Sequence, residues 1–370
     1  MQSEVNAENY IKRALRLAAK GLGKTSPNPM VGAVIVKNGT IVGEGYHKKA
    51  GEAHGEINAL AAAGCAAKGA DLYINLEPCS HFGRTPPCVE AVIKAGIKRV
   101  FIAMKDPNPQ VAGQGIKRLK EVGIEVRVGI LEKEARRLNE VFIKYITKGV
   151  PFVTLKAATT LDGHIATKTG TSKWITGEKS RHHVHLMRSR TDAILVGIRT
   201  VNKDDPSLTT RLRKGKGKDP VRIILDEKLE ISLKAKALSC ESEAKVIIAT
   251  TQSASKDKIE KLVKLGVTAL VFDTGDGLVP FRPLLKRLGE MEISSVIIEG
   301  GSLINASALK EGVVDKVALY YAPKILGGSD SVNVIGGSGI ESLSEAIAIR
   351  DMTIRKFGED FLVEGYINRP

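Results

Sequence analysis

Strand-length apolar runs alternate with helix-length amphipathic windows through the whole chain, and the alternation stops and restarts once, at Lys148-Gly-Val-Pro151. This is the strongest constraint on the fold, because helices that connect short apolar strands must cover the faces of a mostly parallel sheet. In the first half, Tyr10, Ile11, Ala14, Leu15, Ala18 and Leu22 recur at helical spacing, giving an opening helix that ends near Gly23. Val31–Lys37 and Thr40–Tyr46 are strands joined at Asn38-Gly39, a strong hairpin signal. A helix over Glu56–Cys65, a strand over Asp71–Leu76, a helix near Pro87–Ala95 and a strand over Arg99–Met104 follow. A helix around Ile116–Val122, a strand over Glu125–Val128 and one charged helix over Glu132–Thr147 complete a three-layer α/β pattern. The second half restarts at Phe152–Ala157, with further strands over Ala193–Val196, Val221–Leu225, Lys245–Ala249, Ala269–Phe272, Ser295–Ile298 and Lys316–Tyr321. Two α/β domains are expected, 1–147 and 148–370, as a length of 370 residues suggests.

Composition excludes other classes. A 43% apolar and 26% charged chain is neither disordered nor a rod. No window approaches about 18 consecutive apolar residues, and Met1–Glu8 is polar, so neither a membrane span nor a signal peptide is expected and the default compartment is the cytoplasm. Four cysteines cannot build a disulfide scaffold; in a reducing compartment a close pair points to metal or catalysis. The net charge of +15 is divided, with 23 basic and 14 acidic residues in 1–150 and the remaining excess in 151–370. The densest run, Arg211–Lys218, alternates with glycine and reads as a solvated loop.

Chemistry concentrates at His54-Gly55-Glu56, Glu77-Pro78-Cys79 and Pro86-Pro87-Cys88. One His and two Cys supply three zinc ligands and leave a fourth position for water, the arrangement of a catalytic site. Glu56, beside the metal but not on it, suits the proton shuttle of zinc-dependent base deaminases. Cys65 and Cys240 have no partner motif and read as packing residues.

The run Ser26-Pro-Asn-Pro-Met-Val-Gly-Ala-Val-Ile-Val36, the segment Gly43–His47, the loop Glu77-Pro-Cys-Ser-His-Phe-Gly-Arg-Thr-Pro-Pro-Cys88 and Asp106–Gly113 resemble the bifunctional riboflavin-biosynthesis proteins. Those fuse a pyrimidine deaminase to a pyrimidine reductase, and the nine-residue cysteine spacing differs from the P-C-x-x-C of nucleoside and tRNA deaminases. The chain departs at Gly55, where alanine is commoner; with both residues small, no change of chemistry is expected. In the second half Leu155–Gly163, Ser172–Thr176, Asp204–Arg211 and Glu299-Gly-Gly-Ser302 are similar to the reductase part of the same family. The resemblance implies a cytidine-deaminase-like domain followed by one like dihydrofolate reductase, with one zinc per chain in the first and NADPH in the second.

It also implies an activity: deamination of 2,5-diamino-6-ribosylamino-4(3H)-pyrimidinone 5′-phosphate, then reduction of the ribosyl group at C1′ to ribityl. By resemblance Asn28 and His47 contact the deaminase substrate; His81 and Arg84, in the loop between the zinc cysteines, are candidates either for its phosphate or for a role in the loop alone. Ala158, Trp174, Thr200, Asp204, Gly301, Ser302, Leu303, Ile304, Asn305, Ala306 and Ser307 line the dinucleotide. Ser172, Arg188, Leu208, Arg211 and Glu299 contact the reductase substrate; Lys156 and Asp162 are candidates for orienting its sugar. In Arg181-His-His-Val-His185 helical spacing puts His182 and His185 on one face and His183 off it, without a carboxylate or Cys to complete a metal site. Phosphorylated pyrimidines are then the expected partners, with no nucleic acid and no membrane, and a homo-oligomer is admitted. The alternative is a tRNA or nucleoside deaminase with a basic nucleic-acid-binding second domain. An aromatic content of 4% leaves it few stacking platforms.

Overall fold

The computed structural model describes residues 2–80, 87–109, 111–213, 215, 217–239 and 241–368. His81, Arg84 and Cys240 lie outside the described residues. The chain divides into two compact units, Met1–Val150 and Pro151–Pro370.

Unit 1 holds strands β1 (Gly32–Lys37), β2 (Thr40–Tyr46), β3 (Asp71–Leu76), β4 (Arg99–Met104) and β5 (Glu125–Val128) in the order β2-β1-β3-β4-β5. β1 is antiparallel to both β2 and β3, and β3, β4 and β5 are parallel. Its helices are α1 (Gln2–Ala18), α2 (Gly55–Ala63), α3 (Cys88–Lys94), α4 (Gln114–Glu121), α5 (Glu132–Leu138) and α6 (Glu140–Lys148). Helices on both faces bury Ile11, Leu17, Val34, Ile35, Leu72, Ile74, Val100, Ile102 and Leu119 in one core. α2 lies directly on β2: a Cβ at Gly45 would sit 2.3 Å from the Ala59 nitrogen.

The charged segment expected to be one helix is two, broken at Asn139, whose φ of −102° and ψ of 21° leave the helix. The reason is a task for its side chain. Asn139 is buried, accepts from Met30 N–H at 2.8 Å and donates to Met30 C=O at 3.0 Å. Asn75, fully buried, donates to the same carbonyl at 2.9 Å and accepts from Gly32 N–H at 2.7 Å. Two amides 64 residues apart thus replace a strand partner for the lead-in to β1. Asn139→Ala strands the Met30 N–H without its acceptor and is expected to cost about 1–3 kcal/mol of unit 1 stability. Denaturant unfolding of the full chain checks it, and a loss below about 0.5 kcal/mol would remove this role.

Unit 2 runs β6 (Phe152–Thr160), β7 (His164–Ala166), α7 (Glu178–Arg190), β8 (Ala193–Gly197), α8 (Ile198–Asp204), β9 (Val221–Leu225), α9 (Lys236–Ser239), β10 (Val246–Thr251), α10 (Lys256–Lys264), β11 (Thr268–Phe272), α11 (Phe281–Glu290), β12 (Ser295–Ile298), α12 (Ser302–Lys310), β13 (Lys316–Ala322), β14 (Val332–Asn333), β15 (Ile349–Phe357) and β16 (Asp360–Ile367). The large sheet is ordered β11-β10-β9-β8-β12-β6-β13-β16-β15, and β14 pairs with β7 separately. The seven strands from β11 to β13 are parallel, and the β15/β16 hairpin closes the edge in antiparallel sense. β12 enters between β8 and β6, so the loops after these three neighbours converge at one end of the sheet, where α/β proteins bind ligands.

Candidate active sites

In unit 1 the three proposed ligands come from three places in the chain. His54 is the residue preceding α2, Cys79 lies three residues beyond β3, and Cys88 opens α3. Their donor atoms lie within 4.8 Å of one another. His54 Nδ1 is 3.7 Å from Cys79 Sγ and 3.2 Å from Cys88 Sγ, and Cys88 N–H donates to Cys79 Sγ at 3.4 Å. A tetrahedral zinc with bonds of about 2.0–2.3 Å separates its ligands by about 3.5–3.8 Å, so the donors fit. The Cys79 thiol is pushed down, first by its hydrogen bond with Cys88 and then by His54. Cys88 is pushed up by the same bond and by burial, so the pair shares one proton.

Glu56 sits in the first turn of α2, 2% exposed, and its Oε2 has no hydrogen-bond partner. Burial raises its pKa, against the lowering pull of His54. A buried carboxyl with an orphaned oxygen is costly unless the site brings it a partner. At Gly55, where alanine is commoner, a Cβ would meet the Val31 carbonyl at 2.6 Å. In this chain glycine lets α2, with His54 and Glu56, lie against β1.

His47 and Asn28 come together beside this cluster. The His47 ring stands edge-on to His54, with centroids 5.1 Å apart. Its Nδ1 faces the Ala53 carbonyl at 3.1 Å, which places the proton there, and its Nε2 receives the Asn28 amide at 3.3 Å. Burial lowers the His47 pKa, which keeps the ring neutral. Motif reading left Glu77 without a role of its own. Buried beyond the end of β3, it accepts from the backbone N–H groups of Asp106, Gly113 and Ile116 at 3.0–3.1 Å and so pins the 106–116 loop. Cys65, expected to pack, is exposed.

In unit 2 a cavity of about 480 Å³ is lined by Ser172, Arg188, Arg211, Glu299, Ala158 and Trp174, together with Lys156, Arg181, His182, His185 and Arg213. Glu299, just past β12, is gripped by Arg188 through Nε and Nη2 at 2.7 and 3.1 Å and by Lys156 Nζ at 3.3 Å. Although burial opposes it, Arg188 and then Lys156 bring the Glu299 pKa down to about 2. Arg188 also donates to Thr209 C=O at 3.1 Å. Trp174 is 63% exposed rather than packed, with the Arg181 guanidinium 4.6 Å over its ring. His182 and His185 share the cavity face, as their spacing predicts, while His183 turns to Tyr320. Arg213, read with its loop as solvated, reaches the cavity rim.

Two residues lie elsewhere. Leu208 is buried in the core with Ile194, Val201 and Ile231, so any part it has at the site falls to its backbone. Asp162 instead receives the N–H groups of Leu326 and Gly327 and the Thr160 hydroxyl.

The N-terminus of α12 lies over the adjacent strand. Gly301 precedes the helix without a side-chain cap, and Thr200 Oγ1 lies 3.9 Å from where its Cβ would be. Ile304 packs on Gly197 and Gly300, Leu303 is half exposed, and Asn305 is buried, donating to Val334 C=O at 2.8 Å while its Oδ1 has no partner. Ser302 C=O accepts from Gly336 N–H at 3.1 Å, and Ala306 faces Gly337. Asp204 Oδ1 meets Lys173 at 3.5 Å, beside Ser172 and Trp174.

Residues 4–104 match the cytidine and deoxycytidylate deaminase zinc-binding region, and residues 151–363 match the RibD C-terminal domain. The riboflavin biosynthesis protein RibD of Aquifex aeolicus is 49% identical over 356 residues, covering 96% of this chain and 97% of the relative. The chain belongs to the RibD family. Within that family, the Escherichia coli protein is 41% identical, with 95% of this chain and 97% of the relative covered. Acinetobacter baumannii RibD superposes with a TM-score of 0.90 at 37% identity, covering 99% of this chain and all of that one. The Thermotoga maritima diaminohydroxyphosphoribosylaminopyrimidine deaminase/5-amino-6-(5-phosphoribosylamino)uracil reductase does so with 0.87 at 40%, with the same coverage. The chain is therefore a bifunctional deaminase and reductase of riboflavin biosynthesis, with a zinc-binding deaminase unit of cytidine-deaminase type and an NADPH-dependent reductase unit like dihydrofolate reductase. The nucleic-acid-acting alternative is not favoured. No helix among the described residues is long and apolar enough to cross a membrane.

Proposed function

We propose that unit 1 removes the amino group of the diaminopyrimidine ribosyl phosphate at the His54–Cys79–Cys88 cluster, and that unit 2 reduces the ribosyl group of the product in the Glu299 cavity. The observation that carries the first assignment is the orphaned Oε2 of Glu56, buried next to three converging zinc donors. Zinc, when bound, supplies the Lewis acidity that brings the ionisation of water into the neutral range. Glu56 takes one proton from the water and delivers it to the ring nitrogen, then carries the second, from the new hydroxyl, to the amino group, which leaves as ammonia, a role its raised pKa suits. Asn28 and His47, each holding the other in one orientation, bind the pyrimidine.

In unit 2, NADPH supplies the hydride taken up at the ribosyl C1′. The uncapped amides of α12 at Gly301 to Ser302, with Thr200, hold dinucleotide phosphate, a common use of a helix N-terminus. Leu303 to Ser307, Ala158, Trp174 and Asp204 complete that wall. Arg188 spends its fork on Glu299, so recognition of the 5′-phosphate falls mainly to Arg211, while Ser172, Lys156 and Glu299 orient the sugar. Such ligands account for a basic chain without nucleic acid, and the enzyme works in the cytoplasm.

The test is the purified chain with the diaminopyrimidine phosphate. One zinc per chain and a product in which oxygen has replaced the amino group are expected, by elemental analysis and mass spectrometry. Cys88→Ala is expected to lose both zinc and that product. Unchanged deamination in a zinc-free Cys88→Ala chain would sink the assignment.

A further inference from the structure

Four arginines line the unit 2 cavity, and three of them are engaged. Arg181 lies over Trp174 and donates to Thr176 C=O at 2.6 Å, Arg188 grips Glu299, and Arg213 Nη2 donates to Glu178 at 2.5 Å. The exposed guanidinium of Arg211 has no hydrogen-bond or ion-pair partner among the described residues. What is held instead is its backbone. Residues 209–211 belong to no helix or strand, and each is pinned by a side chain from elsewhere. Arg188 donates to Thr209 C=O at 3.1 Å, Asp219 Oδ1 accepts from Thr210 N–H at 2.7 Å, and His185 Nδ1 accepts from Arg211 N–H at 3.2 Å. His185 and Arg188 stand three residues apart on α7 and line the cavity together.

We propose that His185 is a positioning residue of the reductase, its Nδ1 fixing the Arg211 backbone so that the guanidinium is presented to the 5′-phosphate of the substrate. The inference rests on the assignment of that phosphate to Arg211. Only an unprotonated ring nitrogen accepts a hydrogen bond, so the ring proton of His185 sits on Nε2. Burial first, then Arg188, Arg211 and Lys156 acting against Glu299, bring its pKa down to about 4. The ring is therefore neutral near pH 7 and able to hold this N–H, which an imidazolium is not. Fixing the root of a long side chain before the substrate arrives removes an ordering cost that a free loop has to meet on binding. Loss of the tie is thus expected to weaken substrate binding and to leave the hydride step alone. It also gives the histidine-rich run of α7 a use that needs no metal.

Steady-state reduction of the supplied deaminated intermediate by the full chain tests it. His185→Phe keeps a ring but removes the acceptor, and is expected to raise KM for the intermediate about tenfold while kcat and KM for NADPH stay within about twofold of wild type. His185→Asn, whose Oδ1 takes the place of Nδ1, is expected to restore the wild-type KM. In an Arg211→Ala chain, His185→Phe should add nothing further. With the dephosphorylated intermediate, His185→Phe and wild type should have the same kcat/KM. Should His185→Phe fail to fold, His185→Leu carries the same comparison. A wild-type KM in His185→Phe, a loss confined to kcat, an Asn variant no better than Phe, or a loss that persists on the dephosphorylated intermediate overturns the proposal and leaves Arg211 at the phosphate. An unchanged KM in Arg211→Ala overturns both.

Discussion

Glu56→Gln is expected to lower deamination by about 10³–10⁴-fold while zinc stays at one per chain and reduction of the supplied deaminated intermediate is unchanged. Gln keeps the volume and one oxygen but cannot carry a proton between water, ring nitrogen and leaving ammonia. In the folded chain Glu56 is buried, is not a donor of the three-residue cluster, and has a free Oε2. Loss of activity with loss of metal would instead make it a structural support for the ligands. Full deamination with metal retained would remove Glu56 from the mechanism, so the zinc content must be read beside the rate.

Glu299→Ala is expected to abolish reduction and to destabilise unit 2 by about 3–5 kcal/mol, because it leaves Arg188 and Lys156 facing each other without a counter-charge. The three side chains are only 10–14% exposed, so water does little to screen them. For a unit of this size the midpoint of thermal unfolding should fall by on the order of 10 °C, with deamination by unit 1 kept below that transition. The pH dependence has a definite sign. The Glu299 pKa is lower folded, about 2, than unfolded, about 4.3, so its contribution is complete above about pH 4.3 and is lost as pH falls toward 2. The wild type should show that acid loss and Glu299→Ala should not. A variant that melts with the wild type would mean that the triad contributes nothing net to stability.

The zinc donors and Glu56 were legible because each sits at a short motif whose residue types have few other uses together. The parallel strands were legible because burial on both faces makes them nearly continuous apolar runs, as in Ala193–Gly197. β15 was missed for the opposite reason: with Arg350, Asp351, Arg355 and Lys356 and no buried face, it carries no period of two. The break at Asn139 was hidden because its cause is a hydrogen bond 109 residues away, beyond any local window. Arg181 and Arg213 at the cavity, like Glu77 beneath the first site, show the same limit. Their residue types are common on surfaces, and only the fold says what they face.

The three zinc donors stand at the start of α2, beyond β3 and at the start of α3. A metal held there is a rivet through three segments as well as a reagent. Its affinity is then added to the folding equilibrium of unit 1 by mass action, about 4 kcal/mol when free zinc is a thousandfold above its dissociation constant. All three donors belong to unit 1. In one polypeptide, the lifetime of the deaminase would follow the cell's zinc supply, while that of the reductase would not.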